Sequence, residues 1–268
     1  MLRLEDHRAA LIDFWCRATL PARVRAMITR MLAGPLPTVP LSYPSDWGIP
    51  SPVDPAHRID VWAEMGLGYL YTVGRRFAPD ATDLRGHVAG WQSVGELWSF
   101  LGLDNAFYYA VLFPALFHAA GLPTGVLAGL VVNEFYLLNG AKFSTSRGHA
   151  VWAHDLLAEE SPSSVRLFLC WDRPSPEGTD FTMKRYRSAV AAWAGQRGSY
   201  STAGADLARA ASALTPAHFD PALASRCLIA VPASEAAELM AAVTGTAVVP
   251  ATVPARPPAG DESIETDH

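Results

Sequence analysis

A short apolar and aromatic run, Leu97-Trp98-Ser99-Phe100-Leu101, ends at Gly102 and is followed by Asp104, a long apolar segment closed by Gly121 and Pro123, and a valine- and leucine-rich run from Gly125 to Val132. The two outer runs have the length and composition of buried strands, and the stretch between them has the length of a helix. Strand, helix and strand in that order predict a parallel pair with a right-handed crossover, since a right-twisted strand feeding a helix packs back onto its sheet with that hand. Ligands of such α/β sheets bind beyond the carboxyl ends of the strands, here Gly102-Leu103-Asp104 and the residues after Val132.

A few residues beyond that second strand lies the string Asn139-Gly140-Ala141-Lys142-Phe143-Ser144-Thr145-Ser146-Arg147-Gly148. Lysine is a compact point charge, and small hydroxyl residues with glycines let backbone N–H groups approach an anion closely. Taken alone, so short a string reads first as a polar surface loop. Its place after the second strand, where a short hairpin or turn would bring it to the ligand edge, favours the handling of phosphate.

With 268 residues, 50% of them hydrophobic and 18% charged, the chain can bury a substantial core as one large domain or a domain with an appendage. A formal charge of −5 and a pI near 5.9 argue against a general polyanion-binding surface. Cys16, Cys170 and Cys227 are scattered, with no Cys-x-x-Cys pair, and read as reduced packing residues of a cytoplasmic protein. The eight histidines show no metal-ligand spacing, so no metal site is assigned. The start carries Arg3, Glu5, Asp6 and Arg8, where a secretory signal would be apolar, and no run reaches the roughly twenty apolar residues of a membrane span. The longest candidate, 106–122, contains Pro114 and His118 and reads as a buried helix.

Along the chain, 4–33 reads as helical scaffold, with Leu11, Phe14 and Trp15 at helical spacing and Pro21 beginning a second helix or kinking the first. Prolines and turn formers from Gly34 to Pro55 predict an irregular connector, after which Ile59 to Tyr71 is apolar again. Beyond Asp155, helices are expected at 162–171, 182–195, 204–214 and 234–243, and the proline-rich stretch from Thr246 reads as a disordered tail.

Several separated strings then fall into one order, and over roughly residues 40 to 190 the chain resembles the second half of the catalytic core of methionyl-tRNA synthetases, which are class I enzymes. Asp46-Trp47-Gly48-Ile49-Pro50 is similar to the family's strand leading into the core. Val61-Trp62 through Gly68-Tyr69 looks like its amino-acid pocket motif, a tryptophan and a tyrosine seven residues apart. Phe100-Leu101-Gly102-Leu103-Asp104 with Phe113-Pro114-Ala115 is similar to its Gly-Lys-Asp strand and following helix. Lys142 to Ser146 stands where the family has Lys-Met-Ser-Lys-Ser.

The resemblance implies a Rossmann-like parallel sheet followed by a small helical region. Its divisions would be an N-terminal helical segment at 1–39, the half-Rossmann core at 40–180, a helical region at 181–245 and the tail at 246–268. It implies ATP, with magnesium as companion, and methionine or an analogue as amino acid. Gly102, Asp104, Lys142 and Thr145 would meet the nucleotide, Lys142, Ser144 and Ser146 would hold the triphosphate, and Trp62, Tyr69 and Tyr109 would line the amino-acid pocket. The residues themselves leave alternatives open. Trp62, Tyr69 and Tyr109 also read as core aromatics, and Asp104 as the N-cap of the next helix.

Departures from the family bear on activity. These residues contain no His-x-Gly-His string, so the first half of the nucleotide crevice is expected to be missing and to be supplied by a partner protein or a homodimer. Thr145 stands where the family has its second lysine, and losing such a charge commonly costs about a hundredfold in rate. Leu103 replaces another lysine, Tyr109 a histidine and Phe113 a tryptophan. The roughly ninety residues after Phe181 are short for an anticodon-reading domain, so tRNA charging by the isolated chain is not expected. Three readings stand side by side: an amino-acid-activating synthetase-like protein, a synthetase-like component of a biosynthetic pathway such as the methionyl-type domains found beside cupins in hydrazine-forming enzymes, or a non-catalytic amino-acid or nucleotide-binding module.

Overall fold

The computed structural model describes residues 1–174 and 179–196, with residues 212, 213, 215 and 220. The chain opens with β1 (Leu2–Arg3), a 3-10 turn (Leu4–His7), α1 (Arg8–Arg17) and α2 (Ala22–Leu32). Pro21 separates the two helices, holding an extended backbone at the N-cap of α2. The expected connector from Gly34 to Pro55 is not wholly irregular. It contains β2 (Thr38–Val39), antiparallel to β1, and β3 (Ser42–Pro44), antiparallel to β4 (His57–Ile59). Strands of two and three residues are too short to show an alternation, and Pro40 and Pro44 hide what little there is.

Asp60 starts α3 (Val61–Phe77) by accepting from the N–H groups of Trp62 and Ala63, and Asp83 starts α4 (Leu84–Gly90) by accepting from Gly86. The expected strand is β5 (Leu97–Gly102), and the second is β6 (Leu127–Asn133), parallel to it. The fold is thus α/β, with a parallel pair at its centre. The far edge of β6 is met by Thr19, whose N–H donates to the Ala128 carbonyl at 2.9 Å and whose carbonyl accepts from Leu130 at 3.0 Å.

The apolar stretch between the strands is not one regular helix. A 3-10 turn (Leu103–Asn105) leads to a π-helical turn at Tyr108–Leu112 and then to α5 (Phe113–Ala119). Pro114 has no N–H, so it cannot donate to the carbonyl four residues back, that of Ala110. The indole N–H of Trp15 on α1 takes that carbonyl instead, at 2.7 Å in a fully buried setting. Asp104 lies inside the 3-10 turn, and neither this turn nor the π turn has a side-chain cap, so the N-cap reading of Asp104 does not hold.

Beyond β6, a hairpin of β7 (Tyr136–Leu138) and β8 (Ala141–Lys142) leads through α6 (Ala153–Glu159) and α7 (Pro162–Trp171) to β9 (Thr179–Phe181), parallel to β7, and α8 (Met183–Gln196). Two of the expected C-terminal helices are present. The helix expected at 234–243 and the tail lie outside the described residues, as does 204–214 apart from residues 212 and 213. Two apolar clusters result. Leu4, Leu11 and Phe14 of the N-terminal segment pack in the same cluster as Leu101, Phe117 and Leu130, while Leu138, Val165, Phe168, Phe181, Tyr186 and Trp193 form the second. Among the described residues, no helix is long and apolar enough to cross a membrane.

The contact between Thr19 and β6 depends on Gly129, where an added Cβ would lie 2.6 Å from the Thr19 carbonyl and 2.6 Å from the Trp98 ring. Gly129→Ala is expected to cost about 1–3 kcal/mol. At exposed Gly68 in α3 nothing lies within 4 Å, so Gly68→Ala is expected to stabilise by about 0.5–1 kcal/mol. Thermal unfolding of the two variants checks this, and shifts of the same sign would contradict the packing described.

Candidate functional site

Two groups of residues border the parallel strands, an aromatic one whose cavity runs along the first halves of β5 and β6 and a polar one past their carboxyl ends. The aromatic group is built on α3 and the π turn. Seven residues are nearly two helical turns, so Trp62 and Tyr69 lie on one face of α3. Between them Gly66 admits close approach, since a Cβ there would lie 2.9 Å from the Phe113 ring. Trp62 stacks on Tyr108, with centroids 3.7 Å apart and planes 9° apart. The hydroxyls of Tyr69 and Tyr109 share a hydrogen bond of 2.7 Å, and both rings pack edge-on against Phe113.

Tyr69 and Tyr109 line a cavity of about 230 Å³ together with Trp91, Trp98, Phe113 and Leu130. The walls are mostly apolar, with Ser99 and the hydroxyls of Tyr69 and Tyr109 among the groups that line it. Burial, reinforced by the bond from Tyr69, pushes the Tyr109 phenol well above its ordinary pKa and keeps it protonated. Of the three expected pocket residues, the structure therefore brings Tyr69 and Tyr109 together. Trp62 stands nearly two turns away along α3, against Tyr108 and outside the cavity lining.

The polar group lies past the strand ends. Gly102 is in register with Asn133 at the end of the β5–β6 pair, and a side chain at 102 would meet the Asp104 carboxylate 2.7 Å away. Asp104 is exposed. The β7–β8 turn is made by Asn139 (φ 50°) and Gly140 (φ 78°), the left-handed pair that a two-residue hairpin needs. Lys142 is exposed, with Nζ 5.4 Å from the centroid of the Phe135 ring. Ser144 and Ser146 have Oγ atoms 3.3 Å apart, Thr145 begins a 3-10 turn, and Gly148 (φ 66°) closes it. Ser144 and His149 exchange two backbone hydrogen bonds of 2.9 Å, which pin the loop into a closed bend.

Several neighbours escape a reading of the sequence. Tyr108, beneath Trp62, is one, and a second aromatic beside Tyr109 was its available signal. Asp180, whose Oδ1 accepts from the Gly140 N–H at 2.8 Å, and Asp172, which accepts from the Tyr136 hydroxyl at 2.6 Å, lie about 40 residues away in sequence with no local motif. Among the described residues, no group of three or more His, Cys, Asp or Glu side chains could hold a metal ion.

A family model described as tRNA synthetases class I (M) matches residues 1–192. A methionine–tRNA ligase of Porphyromonas gingivalis is 36% identical over 152 residues, covering 53% of this chain and 21% of that protein. One from Kineococcus radiotolerans is 30% identical over 171 residues, covering 55% of this chain and 28% of that protein. In fold, the chain is similar to Mycobacterium tuberculosis methionyl-tRNA synthetase bound by methionyl-adenylate, with a TM-score of 0.60 at 20% identity over 90% of this chain and 52% of that one. The same enzyme in its apo form gives a TM-score of 0.55 at 20% identity over 88% and 50%. The chain spans about a fifth to a quarter of the length of these curated relatives.

The Tyr109 environment carries a pH signature. A folded-state pKa raised above the unfolded one means that the folded chain keeps a proton that the unfolded chain loses above about pH 10, so stability falls as pH rises from there toward the folded value. Tyr109→Phe is expected to flatten that alkaline decline without abolishing it, because burial and Asp172 raise Tyr136 in the same direction. Denaturation midpoints at about pH 9 and about pH 11 measure it, and an unchanged slope would place the Tyr109 phenol in water.

Proposed function

The chain belongs to the class I tRNA synthetase (M) family, and from that membership we propose that it activates an amino acid, methionine or an analogue, with ATP as an aminoacyl adenylate. The observation that carries this reading is the presence, on one parallel strand pair, of an apolar cavity bearing the Tyr69–Tyr109 hydroxyls along the first halves of β5 and β6 and of an exposed lysine and serine loop that follows the carboxyl end of β6 in the chain. An apolar side chain enters the cavity, and Tyr69 and Tyr109 set its polar limit. Trp62, stacked on Tyr108, closes the neighbouring wall of the amino-acid site.

Beyond the strand ends, the backbone at Gly102 gives a nucleoside room, and the Asp104 carboxylate accepts from ribose hydroxyls. An oxygen of the amino acid's carboxylate attacks the α-phosphorus of ATP, forming one P–O bond as the bond to pyrophosphate breaks. Lys142, with the hydroxyls of Ser144 and Ser146 and that of Thr145 beside them, holds the phosphates that leave and offsets their developing charge. Magnesium would arrive on the triphosphate oxygens and add to that neutralisation. Transfer to tRNA would draw on parts of the relatives' length that this chain does not span.

Amino-acid-dependent ATP–pyrophosphate exchange tests the reading. Methionine or a close analogue is expected to support exchange, and Lys142→Ala to lower it by about a hundredfold while leaving methionine binding near the wild-type value. A folded protein that gives no exchange with any amino acid would overturn the proposal for the isolated chain. Among the described residues, β5 pairs as a strand with β6, and a sheet of two strands favours a version in which further polypeptide completes the crevice. Exchange that appears only when a second polypeptide is supplied would select that version.

A further inference from the structure

We propose that residues 133–136, the connection from β6 to β7, form a clamped joint that fixes the lysine hairpin relative to the Gly102 edge, with Arg173 and Asp172 as its positioning residues. This rests on reading the hairpin as the phosphate-handling element. The connection is short and joins two different sheets, so every change in its backbone would swing Lys142 against the nucleoside side of the site. Asn133 at its start is the register partner of Gly102. Tyr136 at its end opens β7, and Lys142 closes β8.

Three of the four residues are tied to distant elements. Arg173, just past α7, donates from Nε to the Asn133 Oδ1 at 2.7 Å and from Nη2 to the Val132 carbonyl at 3.1 Å. Arg23 on α2 donates to Glu134 at 2.6 Å from the opposite end of the chain. The Tyr136 hydroxyl donates to Asp172 at 2.6 Å, and Asp172, only 3% exposed, is also paired with Arg185 on α8. The fourth residue, Phe135, lies under the ammonium of Lys142.

Adjacent residues of one helix end thus hold both ends of the joint, Arg173 at Asn133 and Asp172 at Tyr136. Burial holds the Arg173 guanidinium below its usual pKa, as expected of a charge committed to a poorly hydrated contact. Removing one member of such a set leaves charge or carbonyl groups partly buried without their donor, so the joint has one favoured geometry. The hairpin is secured to the same C-terminal unit by Asp180 at Gly140 and by the Asn139 N–H, which donates to the Phe181 carbonyl at 3.0 Å. The C-terminal helices accordingly act on the site through this joint without lining it.

Amide hydrogen exchange and ligand binding on the full chain test the joint, using Arg173→Ala, Arg173→Lys and Tyr136→Phe. Exchange over 136–148 is expected to rise about tenfold in Arg173→Ala and in Tyr136→Phe, while 97–102 and 127–131 keep wild-type protection. ATP binding is expected to weaken about tenfold with methionine binding unchanged, and Arg173→Lys to recover part of both losses. Unchanged exchange in both variants, or a rise spread through β5 and α3, would overturn the joint. So would wild-type ATP affinity in Arg173→Ala under conditions where Lys142→Ala weakens it. If Lys142→Ala itself leaves ATP binding intact, the phosphate role of the hairpin fails, and the exchange pattern alone decides the joint.

Discussion

The bond from the Trp15 indole to the Ala110 carbonyl governs much of this structure. Pro114 makes that carbonyl available by having no N–H to give it, and a carbonyl left unpaired in a dry core would cost about 1–3 kcal/mol. The N-terminal helix supplies the donor, so α1 is anchored to the middle of the apolar segment that crosses between the strands. The same region relaxes into a π turn, which changes the angular spacing of the residues it carries. Tyr108 and Tyr109 both sit on that turn, one facing Trp62 and the other Tyr69. A proline therefore shapes the aromatic half of the site, whose cavity it also lines.

The central strands and the helices about Pro21 were legible because each carries a strong local signal, a buried apolar run or a fixed φ. A short hairpin or turn was expected ahead of the lysine loop, but the structure makes Asn139 and Gly140 of that string the turn itself and puts Lys142 at the end of β8. The π turn was not legible, since an apolar stretch with proline reads as a helix whichever way its carbonyls are satisfied. Nor were β2 and β3, which are too short for periodicity. Among candidate site residues, Tyr69 and Tyr109 could be paired only through the fold, because their 40-residue separation says nothing about a 2.7 Å contact. Trp62 was named from its spacing to Tyr69, but its ring is taken by Tyr108, a residue the pattern passed over.

The two halves of the site are held by different physics. The aromatic half is packed against the main core, where Gly66 and Phe113 bring α3 and α5 into contact and Trp62, Tyr108 and Tyr109 are partly buried, while Tyr69 stays 40% exposed. The polar half is exposed and owes its shape to hydrogen bonds: Asn139 to Phe181, Gly140 to Asp180, and Ser144 with His149. Packing resists displacement in every direction, whereas a few hydrogen bonds resist it along particular ones. The polar half is thus where small changes in geometry are cheapest.

The distribution of positive charge sharpens this contrast. Around the hairpin, Arg173 is committed to the 132–133 backbone and side chain, Arg185 to Asp172, and Arg187 to Glu159 and Glu160. The loop's own cations are Lys142 and Arg147, both exposed, and Thr145 between them contributes only a hydroxyl. A ligand phosphate at this edge would therefore meet one lysine at the end of β8 and one arginine on the bend. With so few charges, their attraction depends strongly on separation, as Coulomb's law requires even in a partly solvated site. The arginines around the hairpin are thus engaged within the structure, and the exposed positive charge of the loop is that of Lys142 and Arg147.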